Sequence, residues 1–275
     1  MRYLQIAERD LGRTDLAFES YHMGIGNLQR VLDLYDGGHA VPYPQLYFDT
    51  SPDHNRAAYD VISSFGDDSS LYYWRLLGAE RIMRLYRTDR ATLQRLSALQ
   101  TAVDSNAYVL HPPDAVHAFA TPDALDRAYA ARTMLPLPSN ARALGLAYDP
   151  GISSLASRLK VTPALYRGLR APALDLLVAF AARVRTISGG VLPLRVTSAV
   201  SDLRYQQALG LTDPPAAAGW SFTIARRYVK QSQADAFQAM LDRLQALDVI
   251  AWERFPSEIE VTVASGASQA IVHGP

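Results

Sequence analysis

The chain is 275 residues long, with 49% hydrophobic and 20% charged residues, a balance typical of globular proteins that bury a core. Its 27 basic and 27 acidic residues cancel, which argues against a broad nucleic-acid surface or polybasic docking to a membrane. The chain contains no cysteine, so disulfides, thiolate zinc sites and cysteine nucleophiles are excluded. No stretch of about 18 consecutive apolar residues is present, so no membrane span is expected.

Helical patterns fill the first hundred residues, because apolar residues recur there at helical spacing. The predicted helices cover 2–11, 14–23, a segment that begins near Asn27, 54–65, a long segment after Asp67 and Asp68, and 89–100. We interpret Asp67 and Asp68 as the N-cap of the long helix rather than as a metal-binding pair. No alternating strand pattern appears before residue 100, so this part of the chain is predicted to be helical.

The most informative stretch is the corner at the end of the second predicted helix. Gly24 and Gly26 are predicted to let the backbone turn before the next helix opens near Asn27. The turn brings together a phenol, an imidazole and an amide, from Tyr21, His22 and Asn27. Two interpretations stay open at this point. One is a simple helix–turn–helix corner with a glycine stop, and the other is a site that holds a polyhydroxyl ligand.

The residues around this corner also carry a family resemblance. Residues 16–28 read Leu-Ala-Phe-Glu-Ser-Tyr-His-Met-Gly-Ile-Gly-Asn-Leu and resemble the Ala-x-Tyr-Asn-Ala-Gly-x-Gly region of lytic transglycosylase (SLT, goose-lysozyme-like) domains. In that family the corner helps line the cleft that binds peptidoglycan glycan strands. The resemblance implies that the residues that line or shape such a cleft here are Tyr21, His22, Gly24, Gly26 and Asn27. It further implies that Tyr21 and Asn27 hydrogen-bond to sugar groups, while His22 stands where the wider family usually has Asn.

The resemblance is weaker for the catalytic machinery. The general acid of these enzymes is a Glu on an earlier helix, because the leaving sugar oxygen must be protonated. The chain starts about 20 residues before the corner, which leaves no room for that helix. Either the chain is a fragment of a longer protein, or an internal start has removed the catalytic half. If the protein acts on the cell wall, we expect its export signal in the upstream part. Glu19 is the nearest carboxylate in the motif and is a candidate catalytic residue, against an ordinary structural role. The expected location is extracytoplasmic or cell-wall associated if an export signal precedes the chain.

Proline spacing and apolar patterns divide the rest of the chain. The predicted organisation is a helical, lytic-transglycosylase-like partial domain at 1–103, a proline-rich packed connector at 104–165, an α+β domain at 166–265 and a tail at 266–275. In the α+β domain the predicted elements are helices at 171–187, 202–209 and 232–247, the last capped by Ser232, and strands at 192–200, 220–224, 249–253 and 258–263. The fold class is therefore α+β, with a helical N-terminal half and a small antiparallel sheet with helices in the C-terminal half.

The α+β domain resembles M15-type zinc peptidases (D-Ala-D-Ala carboxypeptidase-like), which cleave peptidoglycan stem peptides. The segments that carry the resemblance are 194–198, 205–209, 219–224 and 259–263. The chain departs from the family at the three zinc-ligand positions and at an expected Arg, where it has Ala216, Thr223, Glu260 and Ser201. No His or Cys lies between His117 and His273, and carboxylates alone suit zinc poorly. We therefore expect no metal, no cofactor and no zinc peptidase activity.

Together the two resemblances predict a peptidoglycan-associated protein of lytic transglycosylase type, which binds or cleaves glycan strands and carries an inactive peptidase-like domain. A second interpretation stays open, in which the protein is a non-catalytic cell-wall binding or scaffold protein that has lost both active sites. Neither interpretation includes a nucleic-acid partner.

Overall fold

The computed structural model describes residues 2–65, 69–102, 105–190 and 193–269, and its fold is α+β, as predicted. The chain divides into two compact units, Met1–Arg95 and Leu96–Pro275. The predicted helix cap at Asp67 and Asp68 lies outside the described residues, as does most of the predicted tail.

The first unit is helical. Its helices are α1 (Arg2–Leu11), α2 (Thr14–Met23), α3 (Ile25–Asp36), α4 (Tyr43–Phe48), α5 (Arg56–Ser63), α6 (Tyr72–Thr88) and α7 (Arg90–Thr101), the last of which extends past the boundary of the unit. The predicted bounds of α1 and α2 are confirmed. The two helices pack against each other and against α3, burying Leu11, Leu16, Leu28 and Leu32. Leu28 and Leu32 lie four residues apart on α3, as do the buried Ala7 and Leu11 on α1, so each pair shares one face of its helix.

An aromatic cluster joins α4 to the first turn of α6. The ring centroids of Tyr47 and Trp74 lie 4.7 Å apart, and those of Tyr43 and Trp74 lie 5.6 Å apart. Phe48 contacts Trp74 edge-on at 5.7 Å, and Tyr73 contacts Tyr43 at 6.0 Å. Aromatic pairs of this kind contribute about 0.5–1.5 kcal/mol each beyond the area they bury. The cluster therefore fixes the start of α6 beside α4.

The second unit combines two long helices, several short ones and two sheets. Its helices are α8 (Ser105–Leu110), α9 (Pro122–Ala130), α10 (Ala171–Ile187), α11 (Leu203–Leu209), α12 (Pro214–Ala217) and α13 (Gln231–Ala246). Its strands are β1 (Leu135–Pro136), β2 (Leu146–Tyr148), β3 (Gly168–Leu169), β4 (Leu194–Ser198), β5 (Ser221–Ala225), β6 (Ile250–Arg254) and β7 (Glu258–Val263). β1 and β3 form a small antiparallel pair. The predicted helix at 171–187 is confirmed with the same bounds.

The larger sheet has the strand order β2-β4-β5-β7-β6. The four strands from β4 to β6 pair antiparallel, whereas β2 pairs with β4 in parallel. Helices α10 and α13 cover one face, where the rings of Phe180 and Phe237 lie 5.1 Å apart and join Phe222 of β5 in the core. All five residues of β5 are buried, so Ser221 and Thr223 are also covered on the opposite face.

One strand of this unit lies where none was predicted, and one predicted helix cap is wrong. The segment 104–165 lies inside the second unit and supplies β2, which makes the sheet mixed because Leu146 pairs in parallel with Leu194. The predicted cap at Ser232 is wrong. The N-cap residue of α13 is Lys230, which makes no side-chain cap hydrogen bond, because the helix starts one residue earlier than the sequence pattern indicated.

Candidate functional site

The corner between α2 and α3 is formed by one glycine. Gly24 has a φ of 88° and a ψ of 141°, a conformation that L-residues rarely adopt. Its backbone N–H donates to the carbonyl of Ser20 and so caps the end of α2. The next helix begins at Ile25 rather than near Asn27. Gly26 therefore lies inside α3 without a positive φ, and the prediction that it forms the turn is wrong.

The two glycines should respond in opposite ways to alanine. Gly24→Ala places a Cβ on a backbone with positive φ, and we expect it to destabilise the first unit by about 1–3 kcal/mol. Gly26→Ala adds a methyl group that meets no atom within 4 Å. It should be neutral or stabilise the unit by up to about 1 kcal/mol. Native-state hydrogen exchange of the α2 and α3 amides measures both changes, and equal effects would contradict this assignment of the turn.

Four aromatic rings contact one another beside the corner between α2 and α3. Tyr21 is 63% exposed, and Tyr3 of α1 contacts it edge-on with ring centroids 5.7 Å apart. The rings of Tyr21 and His22 both stack on Tyr72 of α6, at 5.9 and 5.4 Å and with interplanar angles of 23° and 21°. We call Tyr3, Tyr21, His22 and Tyr72 the aromatic platform. It brings the predicted site residues Tyr21 and His22 together with Tyr3 and Tyr72.

Hydrogen bonds hold the platform and the corner in place. The Tyr3 hydroxyl donates to the Ser20 carbonyl over 2.7 Å. His22 Nδ1 lies 2.7 Å from Ser69 Oγ, just before α6. Asn27 is exposed, and its side-chain nitrogen donates over 2.9 Å to the carbonyl of the last residue of α2. Tyr21, His22 and Asn27 are all exposed at this corner.

Glu19 lies beneath this surface rather than on it. Its side chain is fully buried, and its Oε2 accepts a hydrogen bond from the backbone N–H of Tyr73 over 2.7 Å. Its other oxygen, Oε1, has no hydrogen-bond partner among the described residues. Burial raises the pKa of Glu19 to about 8, against the opposing hydrogen bonds from Tyr73 N–H and the Tyr43 hydroxyl. The carboxyl group is therefore mostly protonated at neutral pH.

The raised pKa of Glu19 suits a general acid, but its buried position does not. A carboxylic acid with a raised pKa is the kind of group that donates a proton to a leaving sugar oxygen. A general acid must also come within hydrogen-bond reach of that oxygen. Glu19 has no exposed surface, so it does not reach a ligand bound at the corner in this conformation.

Tyr3 and Tyr72 belong to the platform but were not among the predicted site residues. Tyr72 is part of the run Tyr72-Tyr73-Trp74, whose rings can either pack in a helical core or stack on sugars. Successive residues of a helix point about 100° apart, so these three side chains cannot share one face. Trp74 joins the aromatic cluster with α4, whereas Tyr72 turns to Tyr21 and His22. That angular separation is the signal that could have distinguished them.

In the second unit, the positions compared above with the zinc ligands of M15-type peptidases are occupied by Ala216, Thr223 and Glu260. Thr223 of β5 pairs directly with Glu260 of β7. The carbonyl of Ala216 accepts a hydrogen bond from the backbone N–H of Ser201 over 3.2 Å. In the part of the chain that the structure describes, no group of three or more His, Cys, Asp or Glu residues could hold a metal ion. These positions therefore offer a hydroxyl, a methyl group and one carboxylate.

A buried hydrogen-bond network follows Ser201. Asp202 is fully buried, and its Oδ2 accepts from the Tyr166 hydroxyl over 2.7 Å. Its Oδ1 accepts from the Tyr205 backbone N–H over 2.9 Å, which caps α11. The Gln206 side chain donates to Ser201 Oγ over 2.9 Å. These hydrogen bonds satisfy the buried polar side chains of this segment and hold the start of α11 in place.

A pocket of about 230 Å³ lies beside Glu260. Its walls include the rings of Trp252 and Phe255 and the carboxylates of Asp213 and Glu253. Among its described lining residues there is no imidazole and no cationic side chain to polarise a peptide carbonyl. The polar side chains of the pocket are therefore carboxylates and hydroxyls.

Comparisons of this chain with protein-family models, with curated proteins and with solved structures find no match. Across the described ranges, no helix combines the length and the apolar character that crossing a membrane requires.

Proposed function

We propose that this protein is a peptidoglycan-associated protein of lytic transglycosylase type whose first unit binds glycan strands. The observation that carries the proposal is the aromatic platform, which sits at the corner where the sequence resembles the glycan cleft of that family. Its central ring, Tyr72, stacks with both Tyr21 and His22, and Tyr21 is 63% exposed.

The chemistry of the platform suits a sugar. Tyrosine presents an apolar ring face together with a polar hydroxyl, and such amphipathic rings are favoured where a ligand is part apolar and part polar. A pyranose has that character, because its C–H face is apolar and its hydroxyl and amide groups lie at its edge. Tyr21 supplies the exposed ring, and the exposed side chain of Asn27 supplies polar groups at the same helix corner.

Binding is better supported than cleavage. Glu19, the candidate acid of the motif, has no exposed surface and engages the backbone of Tyr73. This observation favours the non-catalytic alternative, a cell-wall binding or scaffold protein. We place the protein at the cell wall, with an inactive peptidase-like second unit. Incubation with purified sacculi separates the two candidates, because release of soluble muropeptides would reject the non-catalytic one.

A pull-down with purified sacculi tests the proposed function. Wild-type protein should sediment with sacculi, and Tyr21→Ala should lose most of that retention, because it removes a platform ring that is 63% exposed. Tyr86→Ala is the matched control. Tyr86 is 50% exposed on α6, and its described ring contact is with Arg90, outside the platform. Retention that is absent in the wild type, or equal in wild type and Tyr21→Ala, would reject the proposal.

A further inference from the structure

The second half of α6 carries an apolar face that is exposed. A surface helix ordinarily turns such a face to the core of its protein. No residue of α6, which the structure describes throughout, is buried. Ile82 is 54% exposed, Met83 48% and Tyr86 50%. Exposed apolar side chains that form one continuous face are a common mark of an interaction surface.

The apolar and basic residues of this segment lie on opposite sides of the helix. Successive residues of a helix are about 100° apart, which places five apolar residues within an arc of about 160°. They are Ala79, Ile82, Met83, Leu85 and Tyr86. Arg84 lies opposite that arc, and Arg81 and Arg87 lie at its two borders. The segment is therefore amphipathic, with an arginine along each edge of its apolar face.

Positive charge is concentrated in this part of the chain, although the whole chain is neutral. Residues 81–95 contain five arginines and one aspartate. Among the described residues, no ion pair engages Arg81, Arg84 or Arg87. The guanidinium carbon of Arg90 lies over the ring of Tyr86, 4.6 Å from its centroid, so positive charge reaches the apolar face itself. This surface therefore favours a partner that is both anionic and apolar.

We propose that residues 79–90 dock the protein on the surface of a lipid bilayer that contains anionic phospholipids. A basic amphipathic helix lies in the plane of the membrane interface, with its apolar face at the acyl chains and its basic side chains at the lipid phosphates. Arg81 and Arg87 suit that position, because both edges of a helix lying flat reach the headgroups.

The size and the variety of the apolar face favour a bilayer surface as its partner. The helical residues 79–88 span about 15 Å, half of the roughly 30 Å hydrocarbon core, so the segment lies on a bilayer rather than across it. An isoleucine, a methionine and a tyrosine differ in shape, and fluid acyl chains accommodate them without a matching groove. An acidic groove in another protein would have to fit all three.

The inference does not depend on glycan binding. The aromatic platform contacts α6 at its other end, through Tyr72. Tyr86 belongs to the proposed lipid surface and not to the platform. Tyr86→Ala therefore remains a control for glycan binding, since purified sacculi and soluble glycan fragments contain no membrane lipid.

Co-sedimentation of the full chain with lipid vesicles tests the proposal. One set of vesicles is phosphatidylglycerol mixed with an equal part of phosphatidylcholine, and the other is phosphatidylcholine alone. At about 0.1 M salt the wild type should bind the anionic vesicles about tenfold more strongly, because each arginine near an anionic surface adds to the attraction. Raising the salt to about 1 M should remove most of that preference.

Two exposed positions separate charge from apolar contact. Arg84→Glu should weaken binding to the anionic vesicles about tenfold, whereas Arg30→Glu, the same charge change at an exposed position of α3, should alter it little. Ile82→Gln should weaken binding several-fold, because it withdraws an apolar side chain from the lipid. Its matched control is Leu34→Gln, since Leu34 is 43% exposed on α3.

Hydrogen exchange locates the contact. Anionic vesicles should protect the amides of residues 79–90 and leave those of α1 and α3 unchanged, and protection confined to other segments overturns the proposal. Equal binding of the wild type to both kinds of vesicle, or an equal loss in a variant and its α3 control, also overturns it. Absence of binding would leave an acidic protein groove as the alternative partner and would reject the lipid surface.

A second copy of the chain is the other occupant that the test distinguishes. If sedimentation velocity without lipid shows a dimer that Ile82→Gln dissociates, this face of α6 is a self-interface and the proposal is overturned. A monomer in both variants, together with binding to anionic vesicles, supports it. Since the vesicles contain no glycan, failure here leaves the proposed function standing, and failure of sacculus binding leaves this inference standing.

Discussion

Tyr72→Leu should weaken the affinity for a soluble peptidoglycan glycan fragment by about tenfold, the largest loss for a single change in the platform. Tyr72 stacks with both Tyr21 and His22, so its loss frees two side chains as well as removing one ring. Each side chain that must be ordered on binding costs about 0.5–1.5 kcal/mol. Leucine keeps the apolar bulk and helix propensity at this position, so the change acts on stacking rather than on folding.

Isothermal titration calorimetry of the full chain gives the affinity. Tyr86→Ala is again the control, because Tyr86 is exposed on the same helix and its described ring contact is with Arg90. The account requires wild-type affinity in the control. If Tyr72→Leu binds as tightly as the wild type, stacking on Tyr72 does not organise the surface.

Asp202→Ala should destabilise the second unit by about 3 kcal/mol. The substitution leaves the Tyr166 hydroxyl buried without its acceptor and removes the cap of α11 at Tyr205 N–H. The first loss is costly because a buried donor without a partner bears its whole desolvation penalty. Hydrogen exchange of the β4 and β5 amides, which adjoin this network, measures the change.

Asp213→Ala is the matched comparison. Asp213 also caps a helix, since its side chain accepts from the Ala216 backbone N–H over 3.0 Å, but it lies at the wall of an open pocket. It should cost about 1 kcal/mol, the usual value for a lost cap. Similar costs for the two substitutions would show that the buried network around Asp202 adds no stability beyond capping.

The helices were predictable because their information is local. The bounds of α1, α2 and α10 follow from apolar periodicity and from helix-ending residues such as Gly12, Gly24 and Ser188. The antiparallel strands β6 and β7 also lie close in sequence, and both were predicted within one residue of their observed bounds. Elements of this kind form from contacts between near neighbours in the chain.

Elements that depend on distant contacts could not be predicted. β2 is three residues long, and it is a strand only because it pairs with β4, nearly fifty residues later. Its sequence, Leu-Ala-Tyr, lies among prolines and glycines that read as turns. The sequence therefore indicated a connector where the sheet has an edge strand.

In the candidate site, too, features set by local sequence were predictable and features set by distant contacts were not. The exposure of Tyr21, His22 and Asn27 at a helix corner follows from local pattern, and the structure places all three on the surface. The stacking of Tyr72 and the burial of Glu19 depend on how α6 packs on α2, fifty residues away, which no local pattern encodes. The role of Gly26 was misjudged because a glycine pair reads as a turn, although one positive φ is enough to form it.

The central claim is that a surface row of aromatic rings binds glycan strands. An NMR titration of the tyrosine- and histidine-labelled full chain with a soluble peptidoglycan glycan fragment tests it most directly. The account predicts that the ring signals of Tyr3, Tyr21, His22 and Tyr72 shift together with one dissociation constant, while the signal of Tyr86 stays in place. Saturating fragment that leaves these four signals unmoved would contradict it.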